Sequence, residues 1–352
     1  MDPSRGLSRR SVLLAGAASA AGPLGLTNPR SRGAPAAGFF AKYHNFDEVA
    51  SWMVRLATHF PALAMSSQIG TTAEGRSLPV LSLTSKGDTA KKGHVVCVAG
   101  LEARAWISVA TSLYVAQHLA TTYGNDQAVT ALLDECVFTF VPVANPDGYT
   151  YTWTTDRSWV KNRAVVDGRV QGVNLNRNFA NHWGGPGSSS TPSDAGYAGA
   201  AAFSEPESRA VRDLLTSTPR LDLFVVLSSF GREILRPWGF GSRAAPHDAL
   251  LAAGAVSART AFSAEGGGPY SSRRLHSVAP SSGCCIDWCY GRTPIGSRYP
   301  YVYEILLPPG SHNGPQGYVL PAQQIVPVGN AAVPALTALA QRALSSPLPA
   351  RT

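Results

Sequence analysis

The chain has 352 residues, 44% of them hydrophobic and 15% charged, enough apolar material for one large core and too much for a disordered or low-complexity chain. Its formal charge of +8 invites a nucleic-acid reading, but Arg5, Arg9, Arg10, Arg30 and Arg32 lie in the first 40 positions against a single acid, Asp2. Removing those from 30 basic and 22 acidic residues leaves 25 against 21, or +4, with no basic helix or stripe, so nucleic-acid binding is excluded as an expectation.

Residues 1–40 read as a leader and linker. LSRRSVLLAGAASAAG joins a basic start to a short apolar segment and an Ala18-Ser19-Ala20 cleavage-like site, and Arg9-Arg10 resembles a twin-arginine export signal. PRSRGAPAAG follows as a Pro/Gly/Ala linker. No later apolar run reaches the roughly 20 uncharged residues that span a bilayer, so no stable membrane insertion is expected once the leader is removed.

From Asn45, NFDEVASWMVRLATHF offers an Asn cap, Glu48 three residues on, and apolar Val49, Trp52, Met53, Leu56 and Phe60, which predicts an amphipathic helix with a capping box. Strands are expected at LPVLSLT, HVVCVAG, CVFTFVPV, LDLFVVLSS and RYPYVYEILL, and helices at ISVATSLYVAQHLATTY, EPESRAVRDLLTS and PALTALAQRAL. Strands that are apolar on both faces imply an α/β domain with helices on each side of the sheet. Sites in such folds sit at the carboxyl ends of strands, where Glu102, Asn145 and Ser228 would fall. Cys97 and Cys136, inside strand-like runs, read as buried thiols. Cys284, Cys285 and Cys289 lack the second pair expected of a structural zinc site.

YHNFDEVASWM, IGTTAEGRSLPVLSL, VPVANPDGYTYTWTTDRSWVKNR, GVNLNRNF, YAGAAAFSEPESRAVRD and LPAQQIVPVG together resemble the zinc carboxypeptidases of the pancreatic A/B type, from about Tyr43 to Leu344. The resemblance implies a single α/β domain over 41–346 with a tail at 347–352. It implies a mixed, mostly parallel eight-stranded sheet covered by helices on both faces, and removal of single residues from peptide C-termini using one zinc. It also aligns the three family zinc ligands with Glu102 and Ala105 in GLEARAW and Ser228 in LSSFG. None of the three matches the ligand type expected there. The acid that orients the first ligand aligns with Asn174, the arginine that polarises the scissile carbonyl with Val160, and the closing tyrosine with Ala279.

Other positions are retained. Glu304 aligns with the general base, Asn176 and Arg177 with the pair that binds a substrate's terminal carboxylate, and Arg104 and Arg157 with arginines of the peptide groove. Ile286 aligns with the base of the specificity pocket, which favours apolar C-terminal side chains. A catalytic zinc needs about three imidazole or carboxylate ligands, so the expectation is a family member without bound zinc, catalytically inactive, with a peptide or protein C-terminus as partner. The alternative is an active carboxypeptidase with a rebuilt metal site. Bland roles also stand for the retained residues: Arg177 paired with a buried acid, Asn176 capping a loop, Glu304 a buried strand acid.

Overall fold

The computed structural model describes residues 38–292, 298–310 and 315–350. The leader and most of its linker, and the last two residues of the tail, lie outside them. Ten strands and eight α-helices occur among the described residues. The first helix, α1 (Phe46–His59), starts as its sequence dictates: Asn45 Oδ1 accepts from the Glu48 N–H at 3.0 Å, and Glu48 accepts from the Asn45 N–H at 3.1 Å. Its apolar stripe, including Trp52, Met53 and Leu56, is fully buried.

Strands β1 (Ala64–Thr71), β2 (Ser77–Leu83) and β3 (Gly93–Ala99) lead to helices α2 (Trp106–Thr122) and α3 (Gln127–Glu135). Strand β4 (Cys136–Val141) and helix α4 (Pro146–Thr154) follow, then a small hairpin of β5 (Val165–Val166) and β6 (Arg169–Val170). Next come α5 (Pro206–Ser217), β7 (Leu221–Ser229), β8 (Glu233–Arg236), α6 (Asp248–Ala264), β9 (Ser271–Arg274), α7 (Cys285–Arg292), β10 (Tyr301–Leu307) and α8 (Ile325–Ser345).

Eight strands form one sheet in the order β1-β2-β4-β3-β7-β10-β8-β9. The pairs β4-β3, β3-β7, β7-β10 and β8-β9 are parallel and the other three antiparallel, so the sheet is mixed and mostly parallel. Every residue of β4 and β7 is buried, as a strand covered on both faces requires. Alternation along β10 shows the two faces directly. The Tyr301 and Tyr303 hydroxyls reach the Ser346 and Leu251 carbonyls beside α8 and α6, while Glu304, the next residue along, meets Asn176 on the other side.

The five expected strands are present. Helix α8 begins at Ile325 rather than at Pro334, because a proline that reads as a helix start is here carried inside a helix packed against α2 and α6. Strands β8 and β9 were not expected: EILR and SSRR show no alternation, and they are held by pairing to each other and to β10, with the Arg273 guanidinium bound to Glu233. All five cysteines are buried.

Candidate functional site

The carboxyl ends of β3, β4, β7 and β10 meet at one edge of the sheet, and the stretch Gly100–Ala105 turns there from β3 into α2. Gly100 makes this turn possible. It holds φ +65, and a Cβ on it would lie 3.2 Å from the Pro142 carbonyl oxygen and 3.2 Å from Val143 Cα. The turn is fastened at both ends. The Ala103 N–H donates to the Val160 carbonyl at 3.1 Å, and buried Asn145 donates to the Leu101 and Lys161 carbonyls. Ala105 occupies the cap position of α2 and offers no side-chain acceptor.

Glu304 is buried in the middle of β10. Its Oε1 meets Asn176 Nδ2 at 3.4 Å, and Asn176 Oδ1 accepts from the Cys285 N–H at 3.0 Å, tying β10 to the loop after β6 and to α7. Burial, and then the negative charge of Glu102, push the Glu304 carboxyl from its ordinary 4.5 up to about 7, against the opposing pull of Arg177 and Asn176. Arg177 Nε donates to the Gly187 carbonyl at 2.8 Å, Nη1 to the Asn176 carbonyl at 2.7 Å and Nη2 to Ser281 Oγ at 3.4 Å. A guanidinium has five N–H groups, so among the described residues one on each Nη is left without a partner.

Arg104 and Arg157 come together around a residue that sequence reasoning missed, Tyr318. The Arg104 guanidinium stacks on the Tyr318 ring at 3.7 Å and donates to its hydroxyl at 3.0 Å. Arg157 donates to the Arg104 and Tyr318 carbonyls at 2.8 and 2.7 Å and lies 3.8 Å over the Trp106 ring. Burial lowers its pKa to about 10. Phe230, at the end of β7, meets Tyr318 edge-on at 5.0 Å. Glu102 joins this group through Arg104, with 3.6 Å between Oε2 and Nε. Tyr318 lies 214 residues from Arg104 and 161 from Arg157 along the chain, so no local pattern signals its contacts with them; the aromatic in GYVLP is the only trace.

Glu102→Gln is expected to cost about 1 kcal/mol, a fall in Tm of about 2 °C, since the pair is partly buried. It should also lower the pH at which Glu304 titrates, because the largest cause of its upward shift after burial is gone. Thermal unfolding and carboxyl NMR read the two effects separately, and an unchanged Glu304 titration would show that the Glu102 charge does not reach it.

The remaining expected site residues are dispersed over roles the structure makes plain. Asn174 engages both ends of its amide locally, donating to the Ala195 carbonyl at 2.9 Å and accepting from the Asn176 N–H at 3.0 Å. Val160 is buried and lines a cleft of about 310 Å³ with Trp159, Lys161 and Gln171. Ser228 is buried near the end of β7, Ile286 is fully buried in α7, and Ala279 is exposed. Among the described residues no group of three or more His, Cys, Asp or Glu side chains lies close enough to hold a metal ion, and no helix is long and apolar enough to cross a membrane.

The sequence model described as zinc carboxypeptidase matches residues 49–335. Carboxypeptidase A1 of Mus musculus is 33% identical over 290 residues, covering 82% of this chain and 67% of that protein. Carboxypeptidase B of Astacus astacus is 33% identical over 298 residues, covering 82% and 93%. The crystal structure of the carboxypeptidase A from Helicoverpa armigera superposes with a TM-score of 0.79 at 28% identity, covering 88% of this chain and 75% of that one.

Proposed function

Because this chain belongs to the zinc carboxypeptidase family, we propose that it is a member that keeps the fold and a groove for peptide C-termini without zinc-dependent peptidase activity. The observation that carries this reading is the donor set at the corner. Ala105 has no ligating atom, Ser228 offers only a hydroxyl, and the Glu102 carboxylate faces the Arg104 guanidinium, whose positive charge opposes a second cation beside it. Zinc in a catalytic site takes three imidazole or carboxylate donors and an open position. These residues do not fit it. The Val160 side chain supplies no donor for a developing oxyanion, and loss of one such donor alone costs on the order of 100-fold to 1000-fold in turnover.

Binding is a separate matter. The two Nη hydrogens left on Arg177 suit a terminal carboxylate, and Asn176 and Arg177 are held in place by backbone contacts that need no metal. The twin-arginine-like leader supports export as the route by which the protein meets its partner.

Protein purified without chelator is expected to carry no stoichiometric zinc by elemental mass spectrometry and to release no phenylalanine from a peptide ending in that residue. About one zinc per chain with chelator-sensitive hydrolysis would establish the alternative, a rebuilt metal site and a live exopeptidase.

A further inference from the structure

The turn between β7 and β8 carries an arginine with no counter-ion among the described residues. Arg232 follows Gly231 and holds a left-handed backbone with φ +54, a conformation that side-chain-bearing residues seldom adopt. Its guanidinium lies against Gly268. A Cβ at that position would sit 3.0 Å from Nη1 and 3.1 Å from Cζ, and Gly268 itself holds φ +80. Gly310 flanks the same Nη1. Arg232 Nε is buried with no acceptor, and no ion pair among the described residues includes this side chain. The adjacent acid, Glu233, is bound to Arg273 instead.

The left-handed backbone and the contact with Gly268 fix where this guanidinium sits. Its buried N–H without an acceptor is unfavourable in the free protein, and a ligand would supply the missing acceptor. The place is informative too. Arg232 stands two residues beyond Phe230, which packs against Tyr318, and the Gly231 N–H donates to the Leu307 and Pro309 carbonyls at the end of β10. That is the rim of the groove proposed above.

We propose that Arg232 and the Gly268 loop form a carboxylate site on this rim, which takes an acidic side chain of a bound peptide. The planar guanidinium fork matches a carboxylate with two parallel N–H donors, and the missing side chain at Gly268 lets the guanidinium lie against the loop backbone. The acidic-peptide assignment rests on the groove reading; the carboxylate site itself does not.

The test uses ¹⁵N-labelled full-length protein and follows the arginine Nε–H signals, with that of Arg232 assigned by its loss in Arg232→Lys. The first probe is N-acetyl-glutamate methylamide, which has an acidic side chain and no free terminus; its glutamine counterpart is the control. The Arg232 signal is expected to move with the acid and not the amide, and Gly268→Ala to weaken the effect at least tenfold. A signal that ignores both probes, moves equally with both, or responds to inorganic phosphate alone overturns the proposal. The groove is tested apart from this by Gly-Gly-Phe against wild type and Arg177→Ala. If that peptide fails to bind, the groove reading is lost, while the glutamate probe still decides the Arg232 site.

Discussion

Glu304→Gln is expected to remove about 3 kcal/mol of pH-dependent destabilisation between pH 4.5 and 8, the worth of a shift from 4.5 to about 7 at 1.36 kcal/mol per unit. The sign follows from the direction of the shift. Because the folded value lies above the unfolded one, the protonated acid favours the fold. That contribution is complete below pH 4.5 and is lost as pH rises through about 7. The groups facing this carboxyl are Glu102 and Asp287, which raise it, and Arg177 and Asn176, which lower it, with burial the largest cause. Glutamine keeps the shape and the acceptor for Asn176 but cannot ionise.

Urea unfolding at pH 5 and pH 8 would therefore show the wild type losing more stability than the variant. Neither curve should be flat, since Glu207 and Asp287 are also pushed up by burial, to about 7 and about 6. Parallel losses in the two proteins would mean that Glu304 is already ionised at pH 5 and neutralised by Arg177. The reading that burial and Glu102 outweigh Arg177 at this carboxyl would then be wrong.

The fold was more legible than the site, for a physical reason. Buried parallel strands must be apolar on both faces, so β3, β4 and β7 are visible as runs. The capping box of α1 is visible because both partners lie within three residues. Strands β8 and β9, at one end of the sheet, answer to a neighbour rather than to a local pattern. The site obeys the same division. GLEARAW is conspicuous because it stands at a strand-to-helix corner, whereas the grouping of Arg104, Arg157, Tyr318 and Glu102 exists only after chain closure. Arg232 carried no sequence signal, since its isolation from every described acid is a fact of packing.

Rebuilding the family ligand set, with Glu102→His, Ala105→Glu and Ser228→His, is expected to produce a protein that takes up about one zinc per chain and is stabilised by it. The corner favours this. The Ala105 N–H donates to the Glu102 carbonyl at 3.1 Å, which fixes residues 102 and 105 in a single turn, and the pairing of Ala99 with Leu227 places residue 228 alongside the start of that turn. Without metal the triple variant should be less stable than wild type by about 1 to 3 kcal/mol, because Ala105 is buried and a glutamate there overfills the corner. Zinc at a hundred times its dissociation constant returns about 2.7 kcal/mol, so thermal unfolding with and without chelator reads binding directly. Hydrolysis should stay weak until Val160→Arg is added, and then rise by about 100-fold to 1000-fold as the oxyanion donor is restored. A triple variant that folds yet ignores zinc would locate the loss elsewhere. The Arg104–Tyr318 stack would then be holding the corner in a shape from which three ligands cannot converge, and Tyr318→Ala in the triple background, which removes both the ring and the hydroxyl that Arg104 contacts, becomes the substitution that should release it.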